Sequence, residues 1–167
     1  MTIDDVNTLD REGFVQTFGG LYEHSPWVVE RTSQKGPFKD KAHLKQSMTQ
    51  VVEAATEQQK LDLLCAHPEL AGKAAIDQTL TSASTAEQAS AGLDRMTPSE
   101  FKTFHELNAT YRERFGFPFI ICVKLTDKPG ILAAMRHRLT NDRATEFRTA
   151  LEEVSKIVEI RLEEKVS

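Results

Sequence analysis

Helix start and stop signals recur along this 167-residue chain, and they constrain its fold more than any other feature does. Capping boxes, in which Ser or Thr precedes Glu or Gln by three residues, occupy residues 56–59, 84–87 and 97–100. After the last of these, apolar residues recur at helical spacing up to Phe115, and Gly116 then ends the predicted helix. The alternation of apolar and polar residues that is typical of strands is nearly absent. We therefore predict an all-α fold, a single-domain helical bundle over residues 1–167 with roughly seven to nine helices.

Other polar residues are predicted to be N-caps of further helices. Asn7 and Asp40 each precede apolar residues at helical spacing, and Asp142 precedes the last long helix. Ser25 is followed by Pro26, which suits the first helical position. These residues predict where most of the remaining helices begin.

Residues 117–123, Phe-Pro-Phe-Ile-Ile-Cys-Val, interrupt the helical pattern. An apolar run of this length with a proline is typical of an extended, buried segment. Because the sequence offers no second strand to pair with it, its backbone N–H and C=O groups must bond to something else. Two interpretations stay open: the segment offers these groups to a ligand, or side chains and helix ends in the core satisfy them.

The charge and hydropathy of the chain argue against several classes of partner. The net charge is −4 and no basic block is present, which argues against binding to nucleic acid. No apolar run approaches the roughly 18 residues that a membrane span needs. Residues 1–5 lack the apolar core of a secretion signal, so we expect a cytoplasmic location. Cys65 and Cys122, both in apolar surroundings, are then expected to be reduced, buried and structural.

His67 lies where a predicted helix stops. Pro68 disfavours α geometry in the residue before it, so the helix with Leu61, Leu64 and Cys65 on its apolar face should end near His67. The helix dipole favours imidazolium at a helix C-terminus, where a histidine can hold a proton near neutral pH and donate it. The same ring can instead serve only to cap the last carbonyl groups. The local sequence does not decide between these roles.

Two other charged residues occupy unusual positions. Arg161 continues the apolar line of the last helix, three residues after Val158, where a guanidinium needs an anion or carbonyl groups to offset its desolvation. Alternatively, its stem packs and its head reaches solvent at the helix end. Glu87 is the last residue of the predicted capping box at 84–87. There it either bonds back to the backbone or is kept ionised by the helix dipole for use as a base.

Signatures of other chemistry are absent from the sequence. Cys65 and His67 could ligate a metal, but nothing nearby completes a set with zinc-like spacing. Neither a phosphate-binding loop nor a Gly-x-Ser-x-Gly nucleophile motif occurs. We therefore expect no metal and no cofactor.

Four motifs, taken in order, resemble a single enzyme family. They are Phe-Gly-Gly-Leu-Tyr-Glu-His-Ser-Pro-Trp at 18–27, His-Pro-Glu-Leu-Ala-Gly at 67–72, Glu-Gln-x-x-Ala-Gly-Leu-Asp at 87–94 and Phe-Gly-Phe-Pro-Phe-Ile-Ile-Cys-Val at 115–123. Together they resemble the 2-oxo-4-hydroxy-4-carboxy-5-ureidoimidazoline (OHCU) decarboxylases of urate breakdown. The resemblance covers nearly the whole chain without a large insertion.

The resemblance implies an all-helical, cofactor-independent carboxy-lyase that acts as a homodimer. Such an enzyme would convert OHCU to (S)-allantoin and CO₂, the last step from urate to allantoin. His67, the proton donor, matches a catalytic residue of the family, as do Glu87 and Arg161. The family's substrate-contacting segments match Pro68, Ser84, Thr85, Ala86, Glu87, Gln88, Phe119, Ile120, Ile121, Cys122 and Val123.

Two alternatives remain open at the level of sequence. One is another ureide-metabolising enzyme, an allantoin racemase or a ureide lyase, because the same polar contacts would suit those substrates. The other is a helical interaction module without catalysis, in which His67, Glu87 and Arg161 would not converge.

Overall fold

Helix N-caps organise the fold as the sequence indicates. In the computed structural model, which describes residues 1–72 and 80–167, the N-cap side chains of most helices accept a hydrogen bond from the third backbone N–H of the helix. The capping boxes at Thr56 and Thr97 are both complete, and Asp40 caps its helix as predicted. Such caps satisfy backbone donors that would otherwise lack a partner.

The described residues form nine α-helices and two short 3₁₀ turns, at Ser33–Lys35 and Val123–Leu125. No β-strand occurs among them, and the prediction of an all-α fold is confirmed. The helices are α1 (Ile3–Thr8), α2 (Arg11–Phe18), α3 (Trp27–Thr32), α4 (Lys41–Glu53), α5 (Glu57–Cys65), α6 (Ser82–Ser90), α7 (Pro98–Phe115), α8 (Lys128–Arg138) and α9 (Arg143–Glu163).

The predicted start of α6 is wrong. Thr81 is its N-cap and accepts a hydrogen bond from the Ser84 backbone N–H at 3.2 Å. Ser84 is therefore the third residue of the helix, and Glu87 lies in the second turn rather than in a capping box. The reason is competition between two hydroxyl residues, of which the earlier one caps the helix and the later one is carried into it.

Two other predicted caps are also wrong. Asn7 lies inside α1, and Asp10 caps α2 instead. The Asn7 side chain bonds to both the N–H and the C=O of Phe38, each at 2.8 Å. Ser25 lies one residue before the N-cap of α3, and its hydroxyl donates to the Glu23 carbonyl at 2.9 Å. In both cases the side chain bonds to a backbone group of another residue and not to the N–H groups of the helix that it was predicted to cap.

The chain divides into two compact units. Unit 1 comprises Met1–Ala66 and Ser155–Ser167, and unit 2 comprises His67–Val154. Helix α3 packs against α2 and α4 in unit 1, whose core consists of fully buried apolar side chains such as Phe18, Leu44 and Met48. Burying each such side chain stabilises a fold by about 1.5–3 kcal/mol.

Aromatic side chains dominate the core of unit 2. The ring of Tyr111 lies 4.6 Å from that of Phe115, 6.0 Å from Phe117 and 5.3 Å from Phe119. Edge-to-face and tilted arrangements of this kind add to the free energy gained by burial alone. The cluster holds the residues after α7 against that helix.

The cysteine prediction is half right. Cys122 is buried, but Cys65 is exposed. The buried face of α5 carries Leu63 and Leu64. Because each helical residue is rotated by about 100° from the one before it, Cys65 is turned away from that face.

None of the described helices is both long enough and apolar enough to cross a lipid bilayer.

Candidate functional site

His67 directly follows the C-cap of α5. The helix ends at Cys65, and the N–H of the capping residue Ala66 bonds to the Asp62 carbonyl at 3.0 Å. His67 comes next and is 8% exposed, so the predicted helix end before Pro68 is confirmed. Burial removes the imidazole from bulk water, which strengthens any electrostatic interaction that it makes. A protonated His67, as the helix dipole predicts, stays a prediction.

Two buried amide side chains hold the loop that follows His67. The Ala71 N–H donates to Gln88 Oε1 at 3.0 Å, and Gln88 Nε2 donates to the Glu69 carbonyl at 3.4 Å. Asn108 Nδ2 donates to the Leu70 carbonyl at 2.8 Å. The loop is therefore tied to α6 and α7 through its backbone, which limits where His67 can lie.

Asn108 was not among the predicted site residues, although the sequence carries a signal for it. On α7 it lies on the same buried line as Phe104, Tyr111 and Phe115, at spacings of four, three and four residues. A polar residue on an apolar helical line must find a partner, because burying an amide without a hydrogen bond costs free energy.

Helix α6 carries the second group of predicted residues, and they divide by burial. Ser84, Glu87 and Gln88 are 5%, 9% and 6% exposed, whereas Thr85 and Ala86 are exposed. Glu87 lies beyond the first turn, where the effect of the helix dipole on a carboxylate has largely decayed. The predicted position of Glu87 at the helix N-terminus, on which its interaction with the dipole depended, is therefore wrong.

The segment at 117–123 lacks regular secondary structure from Pro118 to Cys122. Phe119, Ile120, Cys122 and Val123 are buried, and Ile121 is partly exposed. The turn Val123–Leu125 packs against α6, so the end of this segment and the buried carboxylate of α6 belong to the same part of unit 2. The absence of helix from Pro118 to Cys122 agrees with the extended segment expected from the sequence.

Side chains from α8 and α9 satisfy part of the backbone of this segment. Arg138 Nη1 donates to the Ile120 carbonyl at 2.6 Å. The Cys122 N–H donates to Glu153 Oε1 at 3.4 Å. Of the two interpretations left open by the sequence, satisfaction within the core therefore holds for these two backbone groups.

Arg138 belongs to a buried polar cluster that the sequence did not reveal. Its Nε donates to Glu146 Oε1 at 2.8 Å, and the Tyr111 hydroxyl donates to the same oxygen at 2.6 Å. Burial, and then the hydrogen bond to Glu146, raise the pKa of Tyr111, so its hydroxyl stays protonated and acts as a donor. The sequence gives no signal for this cluster at Arg138, because basic residues are common in the last turn of a helix.

Arg161 lies in unit 1 and is 5% exposed. Its Nη2 donates to Glu23 Oε1 at 2.9 Å, and its Nη1 donates to the Leu21 carbonyl at 3.2 Å. The anion and carbonyl group that its position on a core line predicts are therefore present. The alternative in which its head reaches solvent is wrong. Glu23, within the first of the four motifs, was not predicted as a site residue.

A cavity of about 750 Å³ lies within unit 2. Two of the predicted substrate-contacting residues, Thr85 and Gln88, line it together with Ala71, Met96 and Phe101. Its described lining does not include His67 or Glu87. Unit 2 thus contains the loop after His67, α6 and the segment at 119–123, while Arg161 belongs to unit 1.

Within residues 1–72 and 80–167, no three His, Cys, Asp or Glu side chains are grouped so that they could hold a metal ion.

A family model described as OHCU decarboxylase matches residues 7–163. The chain belongs to the OHCU decarboxylase family. A similar protein, the 2-oxo-4-hydroxy-4-carboxy-5-ureidoimidazoline decarboxylase of Haloferax volcanii, is 48% identical over 167 residues, which cover 100% of this chain and 97% of that protein. The same comparison with the uric acid degradation bifunctional protein PucL of Bacillus subtilis gives 40% identity over 96% of this chain and 32% of PucL.

Solved structures share the fold. A crystal structure of (S)-allantoin synthase has a TM-score of 0.80 and 31% sequence identity; the match covers 99% of this chain and about half, 54%, of that one. A crystal structure of OHCU decarboxylase in the presence of (S)-allantoin has a TM-score of 0.70 at 22% identity, which supports the fold. These comparisons do not favour the racemase, the ureide lyase or the non-catalytic module.

Proposed function

We propose that this chain decarboxylates OHCU to (S)-allantoin and CO₂, the last step of urate degradation to allantoin. The observation that carries the proposal is its 48% identity, over its whole length, to a protein named as that decarboxylase. The burial of His67, Glu87 and Gln88, which match functional residues of the family, supports it.

The chemical structure of the substrate allows decarboxylation to be catalysed by amino-acid side chains alone. OHCU carries a carboxylate and a hydroxyl on one ring carbon, and the neighbouring ring carbon is part of a C=N bond. When the bond to the carboxylate breaks, its electron pair forms a C=C bond to the neighbouring ring carbon. The electrons of the C=N bond move to its nitrogen, which takes up a proton from solvent as CO₂ leaves. The enzyme then has to orient the carboxylate and hydroxyl and protonate one face of the neighbouring carbon.

We assign these tasks to three side chains. Glu87 accepts a hydrogen bond from the substrate hydroxyl and takes its proton as the carbonyl forms. His67 delivers a proton to the neighbouring carbon from one side, which sets the S configuration. Arg161 binds an oxygen of the substrate and stabilises the developing negative charge.

The remaining predicted residues bind the flat amide groups of the substrate. The backbone of residues 119–123 suits the ureido and ring amides, because both carry donors and acceptors in one plane. Pro68 and the residues at 84–88 complete the proposed contacts. We further propose that the enzyme is a homodimer and acts in the cytoplasm.

A coupled assay tests the reaction directly. Two upstream enzymes convert urate to fresh OHCU, and CO₂ release and the circular dichroism of allantoin are followed with and without this chain. We expect faster CO₂ release and (S)-allantoin as the product. Racemic allantoin formed at the uncatalysed rate would contradict the proposal, as would retention of CO₂ with a change in optical activity alone.

Replacing the proposed acid gives a sharper prediction. His67→Asn should lower kcat/KM by roughly 10²–10⁴, the usual contribution of general acid catalysis, while far-UV circular dichroism is unchanged. His137→Asn, at an exposed histidine on α8, serves as the matched control and should keep wild-type activity. Near-normal (S)-allantoin formation by His67→Asn would refute the acid role.

A further inference from the structure

The segment that follows α7 is held at two backbone atoms two residues apart. Arg138 holds the Ile120 carbonyl at 2.6 Å, and Glu153 accepts from the Cys122 N–H at 3.4 Å. Cys122 has φ −73° and ψ 93°, which is extended backbone. In extended chains, alternate residues direct their N–H and C=O groups to the same side, and the residue between them directs its groups to the other side. By this alternation, the backbone groups of Ile121 are expected on the side opposite to Arg138 and Glu153.

Ile121 also differs from its neighbours in exposure. It is only partly buried, whereas Ile120 and Cys122 on either side are 3% exposed. The two flanking residues thus face the helices through their backbone, and the one between them is accessible. A residue whose backbone binds a ligand must be reachable from solvent, and Ile121 is the one of these three residues that is not buried.

The guanidinium of Arg138 is itself held in place by Glu146 and by the ring of Phe119. Glu146 accepts from its Nε at 2.8 Å and is completely buried. Glu146 in turn accepts from the Tyr111 hydroxyl at 2.6 Å and from Asn141 Nδ2 at 2.9 Å. The guanidinium carbon lies 4.4 Å from the centre of the Phe119 ring. A planar fork held in this way can fix both the carbonyl of one residue and the ring of the residue before it.

The free energy of folding by itself does not require the buried cluster of Arg138, Glu146 and Tyr111. Buried ion pairs contribute little net stability, since their desolvation offsets their attraction, and apolar side chains of similar volume often serve as well. An arginine at this position adds fixed hydrogen-bond geometry, because its donors lie in one plane and so determine where the carbonyl group that they bind must lie.

We propose that Arg138, oriented by Glu146, is a positioning residue for substrate binding. It sets the register of residues 119–123, so that the backbone of Ile121 faces the amide groups of the substrate. This inference rests on the proposed decarboxylation of OHCU and adds to it a residue, on α8, outside the segments that match the family's contacts.

The test is steady-state kinetics on two variants at Arg138. The double variant Arg138→Met with Glu146→Gln removes both charges together, so no buried charge is left without its partner. Arg138→Lys keeps a charge opposite Glu146 but loses the planar fork. We expect KM for OHCU to rise roughly tenfold in the double variant and less in Arg138→Lys, with kcat changing by less than about threefold.

Arg143→Met is the matched control. Arg143 also donates to a backbone carbonyl, that of Phe115 at 3.2 Å, and its guanidinium lies 5.8 Å from the Phe117 ring. It contacts none of residues 119–123 in these interactions, so its loss should lower the melting temperature without changing KM. Amide hydrogen exchange gives a second measurement: it should become faster across residues 119–125 in the double variant and stay unchanged there in Arg143→Met.

Wild-type activity is measured first. Failure of the wild type to release CO₂ from OHCU would overturn the proposed function and this inference with it. If the wild type is active, an unchanged KM in both Arg138 variants would overturn the inference alone, even where their melting temperatures fall. An equal rise in KM for Arg143→Met would overturn it too, since the effect would then be general loosening.

Discussion

At the scale of single residues, the buried ion pair of Arg161 and Glu23 means that a substitution at Arg161 alone should change stability as well as activity. The side chains are 6% and 2% exposed, and their charged atoms lie 2.9 Å apart. A buried charge that loses its partner is costly, while a pair replaced as a whole costs little. The proposed catalytic role of Arg161 can therefore be separated from its structural role only by changing both residues.

Arg161→Leu should lower the free energy of unfolding by about 3–5 kcal/mol, because Glu23 is left buried without its cation. The double variant Arg161→Leu with Glu23→Gln should recover most of that loss, as measured by urea denaturation. Its kcat/KM should stay low, because the proposed contact with substrate is still absent. A double variant that recovers both stability and activity would contradict the proposed role of Arg161.

At the scale of elements, the loop after α5 depends on side chains from other helices for its shape. Its backbone bonds to Gln88 on α6 and Asn108 on α7, and Ala71 has a positive φ of 51°. A non-glycine residue adopts such a conformation only where its surroundings hold it there. Contacts made by the residues after His67 thus restrict where its backbone can lie.

Asn108→Ala should destabilise the protein by about 1–3 kcal/mol, because the buried Leu70 carbonyl loses its donor. Hydrogen exchange at residues 69–72 should become faster, and kcat/KM should fall because His67 is less constrained. Asn7→Ala is the matched control: Asn7 also bonds to backbone, at Phe38, but in unit 1. The Asn7→Ala variant should be less stable than wild type, but its hydrogen exchange at residues 69–72 should be unchanged. Faster exchange at residues 69–72 in Asn7→Ala would count against a specific role for Asn108.

At the scale of the whole molecule, carboxylates at helix N-termini make stability sensitive to acid. Hydrogen bonds from capping-residue or first-turn backbone N–H groups lower the pKa of Asp5, Glu100 and Asp142. For Glu100 the first cause is the bond with the Thr97 backbone, followed by the bond with Lys128. A carboxyl whose folded-state pKa is lowered binds fewer protons when folded than when unfolded. Its contribution to stability is complete above the unfolded pKa and is lost as pH falls through the folded pKa.

The free energy of unfolding should therefore fall as the pH drops below about 4, near the ordinary carboxyl pKa values. Glu100→Gln should be less stable than wild type at neutral pH, and the difference should shrink in acid, where the wild-type carboxylate is protonated as well. Urea denaturation at neutral and acidic pH measures this difference. Glu152→Gln, at an exposed glutamate of α9, is the control with the same charge change. A difference for Glu100→Gln that is constant with pH would contradict the assignment.

Features that depend on neighbours in sequence were predictable. The caps at Asp40, Thr56 and Thr97 act over three residues, and the end of α5 before Pro68 depends on the next residue along the chain. Where two hydroxyl residues compete for one helix start, as Thr81 and Ser84 do, the local pattern does not decide, and the prediction failed.

By itself, the sequence determined the helical class, the starts of α4, α5 and α7, the ends of α5 and α7, and the family. Each of these depends on short-range geometry or on motif order. Only the tertiary structure decided the partners of the buried polar side chains. Arg138 meets a carbonyl 18 residues away, Asn108 one 38 residues away and Arg161 a carboxylate 138 residues away. Hydrogen bonds need donor and acceptor within about 3 Å, and no pattern along the chain encodes which distant residues packing will bring that close.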